Sequence, residues 1–447
     1  MTRECQNCKT LFEITEDDLS FYERIKVPPP TFCPECRLIR RFSHTNVINL
    51  YKRVCDLCKK EVVSRYSPDK EYTVYCPHCW WGDKWDPMEY GKEYDFSRSF
   101  FEQFNELWHK VPLLGLSLDL KSAIESPYTN DAGSLKQCYL IFQAELVERS
   151  AYGFLVVRCS DCMNCSFLNS CELSYDLFHC YKVYQGIYLL YTVYTNNSAF
   201  LWQCENCQNC FGSANLRNKQ YHIFNKPYTK DGYFSEIEKF DLGSYKNYTE
   251  MTRRAREHWL KYPVRTHWQE LSVDSTGLLV FESKNCQKCF EVSGGVEDCK
   301  YTYYIGRGPV KDSYDYSWWG NNAELIYEGM TVGGGIRNVH FADESGLGLY
   351  DAEYVKLSLG GSSNLFGCVS LNKKSYCILN KQYSKEEYEK LVPQIIQHMK
   401  GTPYIDKKGR KYFYGEFFPT ELSPFAYNET LAQQYYPIAK EEALTKG

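Results

Sequence analysis

The motif Cys159-Ser-Asp-Cys162-Met-Asn-Cys165 recurs 45 residues later as Cys204-Glu-Asn-Cys207-Gln-Asn-Cys210. Short runs with the composition of strands surround it, at residues 152–157, 165–168, 177–184, 187–194 and 200–203. No long helical pattern separates these runs, so parallel strands would have to be joined by turns alone. We therefore predict a right-handed β-solenoid with two or three strands per coil, in which the 45-residue offset spans two coils of roughly 22 residues.

The cysteines of this motif have two interpretations. Small side chains stacked at one corner of successive coils would form a buried ladder of thiols. The alternative is a further zinc or iron–sulfur site. Two coils would separate Cys162 from Cys207 by about 10 Å, which is too far for one ion to bridge. The ladder is therefore favoured, while metal binding by these six cysteines and by Cys286 and Cys289 stays open.

A longer repeat shows that the solenoid is duplicated. Residues 209–233 match residues 364–388 at a constant offset of 155, sharing Phe-Gly, Asn-Lys and spaced tyrosines. The fold class is therefore mainly β with helical inserts. The predicted organisation is a head of tandem zinc ribbons at residues 1–90, a helical connector at 91–130, a first solenoid segment at 131–228, a helical insert at 229–272, a second solenoid segment at 273–383 and a C-terminal helix with an aromatic capping tail at 384–447. Whether the two segments form one continuous solenoid stays open.

The head carries four pairs of cysteines, each pair separated by two residues. Two such pairs can supply the four thiolates of a closed, tetrahedral structural zinc site. We predict about two Zn²⁺ ions per chain, one bound by each set of four: Cys5, Cys8, Cys33 and Cys36, then Cys55, Cys58, Cys76 and Cys79. The alternatives are that one pair is vestigial or that His78 replaces a cysteine.

A basic segment with interleaved aromatic residues lies directly after the first cysteine set. It predicts a phosphate-binding face for RNA or DNA, formed by Arg37, Arg40, Arg41, His44, Lys52 and Arg53. The alternative is a solvated short helix, because nearby acidic residues largely cancel the charge. Three tryptophans, Trp80, Trp81 and Trp85, then join the head to the body or form a stacking platform for bases or sugars.

The bulk composition narrows the class of protein. The 447 residues carry a net charge of −4, so nothing draws the whole chain to nucleic acid or membrane. The N-terminus has no apolar signal-like region and no long apolar run occurs, which predicts a cytoplasmic protein without membrane contact. In a reducing compartment the 22 cysteines are expected to be metal ligands or core residues rather than disulfides.

The chain resembles a family of uncharacterised cysteine-rich proteins predicted from genomes of candidate-phyla bacteria. The resemblance rests on residues 27–38 with Val-Pro-Pro-Pro-Thr-Phe-Cys-Pro-Glu-Cys-Arg-Leu, on 66–70, on 85–88, on the repeated Phe-Gly and Asn-Lys segments, and on 415–428. It implies zinc but supplies no established activity. It also implies that the second zinc is less essential, since relatives often lack those cysteines, and that relatives continue past Gly447 with another ribbon-like segment.

These observations favour a non-enzymatic zinc-binding scaffold. Its expected partners are RNA or DNA at the basic head and a protein partner on the tyrosine-rich solenoid surface. One alternative is a β-helix protein that binds or cleaves glycans, with acidic pairs at Asp343 and Glu344 and at Asp312 and Asp315. The other is a thiolate-rich redox or additional-metal protein. No Ser/His/Asp, Cys/His or zinc-protease motif stands out.

Overall fold

The computed structural model describes residues 1–265, 268–306 and 308–446. In these ranges the chain is mainly β-structure with nine α-helices, and two large sheets of nine and thirteen strands form the body. Both sheets consist of stacked parallel coils, which confirms the predicted β-solenoid class. No helix in the described ranges has the length and apolar character needed to cross a membrane.

The head consists of small hairpins and short helices. Its elements are β1 (Thr2–Glu4), β2 (Leu11–Glu13), α1 (Glu16–Arg24), α2 (Pro34–Phe42), β3 (Tyr51–Val54), β4 (Glu61–Ser64), β5 (Val74–Tyr75) and α3 (Pro77–Trp80). Helix α4 (Phe100–Lys110) and strand β6 (Leu113–Leu114) lead from the head to the body. Because β5 pairs with β6 in parallel, the second half of the head is joined by backbone hydrogen bonds to the segment that enters the first solenoid.

The first solenoid ends in a hairpin and is followed by two helices. Its strands are β7 (Ala123–Ile124), β8 (Asn130–Lys136), β9 (Tyr139–Glu148), β10 (Ala151–Asn169), β11 (Glu172–Leu190), β12 (Val193–Trp202), β13 (Gln208–Phe211), β14 (Gln220–Ile223) and β15 (Lys226–Pro227). The helices are α5 (Lys230–Ile237) and α6 (Tyr245–Trp259). Met251, Ala255 and Trp259 of α6 are buried in a cluster with side chains of the last coils.

The second solenoid also ends in a hairpin and a helix, as the 155-residue repeat predicts. Its strands are β16 (Gln269–Glu270), β17 (Gly277–Phe281), β18 (Ser283–Lys284), β19 (Cys289–Val292), β20 (Val296–Lys300), β21 (Tyr303–Ile305), β22 (Val310–Ser317), β23 (Ala323–Met330), β24 (Ile336–Asp343), β25 (Tyr350–Lys356), β26 (Ser363–Phe366), β27 (Ser375–Ile378) and β28 (Lys381–Gln382). The tail contains α7 (Lys385–Gly401), β29 (Tyr404–Ile405), β30 (Lys411–Tyr412), α8 (Leu431–Tyr435) and α9 (Lys440–Lys446). Ser384 and Glu387 form the predicted capping box of α7.

The coils are about half as long as predicted. In the first solenoid Gly153 pairs with Ile141 and Val183 with Thr195, an offset of 12 residues. In the second solenoid Ala323 pairs with Ile336, an offset of 13. The predicted coil of roughly 22 residues is therefore wrong.

The short coil results from a three-residue repeat in the backbone. The φ angle is positive at Leu155, Arg158 and Asp161, and each of these residues immediately precedes a buried, inward-facing residue. Four such three-residue sides make a coil of 12. The 45-residue offset is a multiple of three but not of twelve, so it keeps cysteines facing inward while moving them to another side of the coil. Cys171 donates its backbone N–H to the Sγ of Cys159, one coil below, at 3.3 Å.

The two solenoids lie side by side and run in opposite directions. Phe154 contacts Trp318, with ring centroids 5.9 Å apart, and Phe167 contacts Tyr304 at 5.6 Å. Further along, His179 Nδ1 is 2.7 Å from Glu291 Oε1. As residue numbers rise in the first solenoid, those of its neighbours in the second fall. The duplicated segments are thus two paired solenoids rather than one continuous coil.

Candidate metal centres

Each four-cysteine set combines a hairpin turn with the start of a helix. In site 1, defined by Cys5, Cys8, Cys33 and Cys36, the first pair lies on the turn between β1 and β2. Lys9 closes that turn with a φ of +62° and donates its N–H to the Cys5 carbonyl at 3.0 Å. The second pair lies on the first turn of α2, with Cys33 as its N-cap residue. A second hairpin turn was expected here, so the ligands are as predicted but the backbone that carries the second pair is helical.

The sulfur atoms of site 1 have the arrangement of a tetrathiolate site. The four ligand atoms all lie within 4.8 Å of one another, and the Sγ atoms of Cys8 and Cys33 are 3.7 Å apart. A tetrahedron with metal–sulfur bonds of about 2.3 Å has edges of about 3.8 Å. The site therefore has the size that one tetrahedral ion requires.

Neighbouring N–H groups favour the thiolate form at site 1. Cys33 donates its backbone N–H to Cys5 Sγ at 3.3 Å, and Asn7 Nδ2 donates to Cys36 Sγ at 3.3 Å. Hydrogen bonds from the Cys33 and Cys36 thiols lower the pKa of the Cys5 thiol well below its usual range. The N-terminus of α2 adds a partial positive charge beside Cys33 and Cys36.

Site 2, defined by Cys55, Cys58, Cys76 and Cys79, repeats this construction. Its first pair lies between β3 and β4, where Lys59 has a φ of +60°, and Cys76 is the N-cap residue of α3. Cys76 donates its backbone N–H to Cys55 Sγ at 3.3 Å, the same bond that Cys33 makes at site 1. His78 is exposed and lies outside this set, so the four cysteines complete it without a histidine.

The predicted nucleic-acid residues are mostly buried. Arg37, Arg40 and Arg41 lie on α2 and reach across to acidic side chains of the body. Arg37 Nε donates to Asp315 Oδ2 at 2.9 Å, Arg41 Nη1 donates to Glu328 Oε2 at 2.8 Å, and Arg40 binds both Glu328, at 2.6 Å, and Glu416, at 2.9 Å. All three guanidinium groups are at most 2% exposed, so the predicted phosphate contacts are wrong for these residues.

The other three residues of that prediction have different surroundings. His44 is fully buried, with its ring stacked on Trp108 at 5.9 Å. Arg53 is also buried and lies 3.3 Å from Asp56. Neither can reach a phosphate in this structure, and the prediction is wrong for both. Lys52 is exposed, 3.9 Å from Glu61, and it alone of the six remains available.

The sequence does contain a signal for the arginine partners. Asp315 and Glu328 are 13 residues apart, which is one coil, and Phe341 and Tyr354 continue the same spacing. Side chains at one coil offset form a column on one solenoid face. This column is the surface that the head covers, since Phe21 of α1 stacks on the neighbouring Tyr314 at 3.9 Å. The strand-like runs suggest longer coils and thereby obscure this 13-residue period.

The acidic pairs considered for glycan chemistry are engaged in ion pairs. Asp343 and Glu344 are buried, and both contact the Nζ of Lys356, which is 2.9 Å from Glu344 Oε2. Arg65 of the head donates to the other side of Glu344 at 2.7 Å. Asp315 is held by Arg37 and Arg41, and Asp312 by Arg24 at 2.7 Å. A catalytic role for the carboxylates of Asp343 and Glu344 is therefore wrong, since neither is open to a polysaccharide.

The solenoid cysteines point into the dry interior of the coils. Cys159, Cys162 and Cys165 are each at most 3% exposed, and their thiols donate to backbone carbonyls of the same coils. Among the described residues, metal-sized groups of cysteine sulfurs occur at sites 1 and 2 and not within the solenoids. This arrangement confirms the predicted thiol ladder.

The aromatic residues divide into buried and exposed sets. Trp80 is buried and donates its indole N–H to the Pro112 carbonyl at 3.2 Å, so it joins the head to the body as predicted. On the first solenoid Tyr128, Tyr139 and Tyr152 form an exposed row with ring centroids 5.6 and 5.7 Å apart. A protein partner on this row stays a prediction.

Comparisons with known proteins supply no family for this chain. No protein-family model matches it, and no curated protein matches it either. The site geometry therefore carries the functional argument, and the family resemblance drawn from sequence stays a prediction.

Proposed function

We propose that the protein is a non-enzymatic, zinc-stabilised binding scaffold. Each four-cysteine set holds one Zn²⁺ ion in a closed structural site, and the ions keep the head folded against the paired solenoids. Four thiolates in tetrahedral arrangement with no position left for substrate are typical of structural zinc. Zinc is also favoured over harder ions because soft sulfur ligands select it.

The observation that carries this proposal is the connection from site 1 to the body. Cys33 and Cys36 begin α2, and the same helix carries Arg37, Arg40 and Arg41 into the acidic column of the second solenoid. The metal would fix where the helix starts, and the helix then places three charged groups that have no water to solvate them. Because unpaired buried charges cost several kcal/mol, the head has one strongly preferred position.

The tail completes the same arrangement. Glu416 accepts hydrogen bonds from Arg40 and, through its other oxygen, from the backbone N–H of Thr31 at 2.8 Å, two residues before Cys33. Phe417 and Phe418 are buried in the hydrophobic cluster that the head shares with the second solenoid. Site 1, the solenoid and the tail thus meet at one buried network, as expected for a structural assembly centre.

Metal analysis of the purified full chain tests the proposal. We expect about two zinc ions per chain, about one in Cys8→Ser and about one in Cys58→Ser, because each variant removes one ligand of one closed site. Cys162→Ser, which changes a solenoid cysteine, is the matched control and should keep two. A chain that folds without zinc, or zinc content unchanged in both head variants, would overturn the proposal.

A further inference from the structure

The two metal sites differ in the segment that comes after the last cysteine. At site 1, α2 continues to its full nine residues and its side chains are buried against the body. At site 2, α3 ends after four residues at Trp80, and the next side chain, Trp81, is 47% exposed. Trp80 supports Trp81 edge-to-face, with ring centroids 4.7 Å apart. One module is therefore used up in docking, whereas the other presents a supported aromatic ring to solvent.

Positive charge accompanies that ring. Lys59 and Lys60 lie on and beside the tight turn of site 2, Lys52 is on the adjoining strand β3, and Lys84 is three residues after Trp81. All four are exposed, and in the part of the chain that the structure describes only Lys52 has an ion-pair contact, at 3.9 Å from Glu61. Glu61 and Asp83 are the exposed acidic residues of the same segments, so the four lysines outnumber them.

We propose that site 2 binds single-stranded nucleic acid, with Trp81 stacking on a base and Lys52, Lys59, Lys60 and Lys84 contacting phosphates. An exposed ring can stack on any base, and flexible cations follow a flexible backbone. The turn that carries two of the lysines is held by Cys55 and Cys58. The inference therefore rests on the proposed function to the extent that site 2 must contain its metal.

The geometry favours a single strand over a duplex. A helix that reads the major groove must be long enough to lie in it, and α3 has four residues. A base inside a duplex is also stacked on both faces, so Trp81 could reach only an unpaired base. The contact is therefore expected to depend on backbone charge and stacking and to have little sequence preference.

Fluorescence anisotropy on the zinc-loaded full chain tests this inference, with labelled 12-nucleotide oligo-U RNA, oligo-dT DNA and a 12-base-pair duplex as probes. We expect binding of one or both single strands at 50 mM salt and weaker binding of the duplex. Trp81→Ala should weaken binding about tenfold or more. Changing Lys59 and Lys60 together to alanine should lower the slope of log affinity against log salt by about 1.4.

Two control variants separate site 2 from the rest of the surface. Lys9→Ala changes the residue that occupies the equivalent turn position at site 1, with nearly the same φ as Lys59. Tyr245→Ala removes an aromatic ring that is 79% exposed elsewhere. Both should leave the affinity unchanged.

Zinc content measured on each sample distinguishes this inference from the proposed function. If the chain holds two zinc ions but binds neither single strand at 50 mM salt, the nucleic-acid inference is overturned and the scaffold stands. Equal losses in Trp81→Ala and Tyr245→Ala, or equal affinity for duplex and single strands, would also overturn it. Tighter binding of RNA than of DNA would support the inference and add a contact to the 2′-hydroxyl.

Discussion

His44 shows how far burial changes a single residue in this protein. Its sequence context suggests a basic surface, but its ring lies between Trp108 and the tail aromatics Phe417 and Phe418. Burial, followed by the charge of Lys356, lowers the pKa of His44 to about 3. The imidazole is therefore neutral in the folded chain at physiological pH, whereas in the unfolded chain it titrates near pH 6.5.

This shift predicts acid sensitivity with a definite sign. Below pH 6.5 the unfolded chain binds a proton at His44 that the folded chain does not accept until about pH 3. The free energy of unfolding should therefore fall as pH falls through this window, by about 2 kcal/mol between pH 7.5 and pH 5 from this residue. Urea unfolding of the full chain and of His44→Phe at both pH values measures the difference. His222→Phe, a change near the surface, should keep the full pH effect, and an identical pH effect in His44→Phe would contradict the prediction.

At the scale of elements, the solenoid coil is a chain of short sides joined by left-handed corners. A non-glycine residue in this conformation is strained by about 1 kcal/mol or more, and here such residues recur every third position. Asp161, Asn164 and Asn206 suit the conformation, but Leu155 and Phe167 do not. The ladder of backbone hydrogen bonds between coils and the buried third residue of each side offset this strain. Stability thus comes from stacking coils rather than from the local preference of each residue.

Helix α2 is the element that links metal to body, and Arg40 is its central contact. Arg40→Ala would leave Glu328 and Glu416 buried without one of their partners, so we expect a loss of about 3–5 kcal/mol in the free energy of unfolding. Lys52→Ala, an exposed basic residue of the same head, should change it by no more than about 0.5 kcal/mol. Urea unfolding monitored by tryptophan fluorescence measures both. Similar small effects of the two substitutions would show that the network does not hold the head.

For the whole molecule, sequence predicts the features that depend on local spacing and misses those that depend on distant partners. The eight ligands at sites 1 and 2 are recognisable because cysteines two residues apart can share one ion. The duplication is recognisable because residues 209–233 and 364–388 align without a gap. The role of Arg37, Arg40 and Arg41 is hidden because Asp315 and Glu328 lie more than 270 residues away in sequence. The coil length is hidden because outward tyrosines obscure the inward series Val156, Cys159, Cys162, Cys165 and Leu168.

The pairing of two solenoids with one head also predicts how the molecule responds to loss of metal. The interior of the first solenoid is a separate hydrophobic cluster made of its own residues, and the hairpin of β14 and β15 closes its end. In stacked coils, stability passes mainly between neighbours. Removing zinc from the full chain with a chelator should therefore raise amide hydrogen exchange in α1 and α2 toward unfolded rates, while β10 and β11 stay protected. Added zinc should restore the protection of α2, which separates metal loss from irreversible damage. Exchange that rises equally in β10 and β11 would mean that the head stabilises both solenoids, and unchanged protection of α2 would mean that the metal does not position this helix.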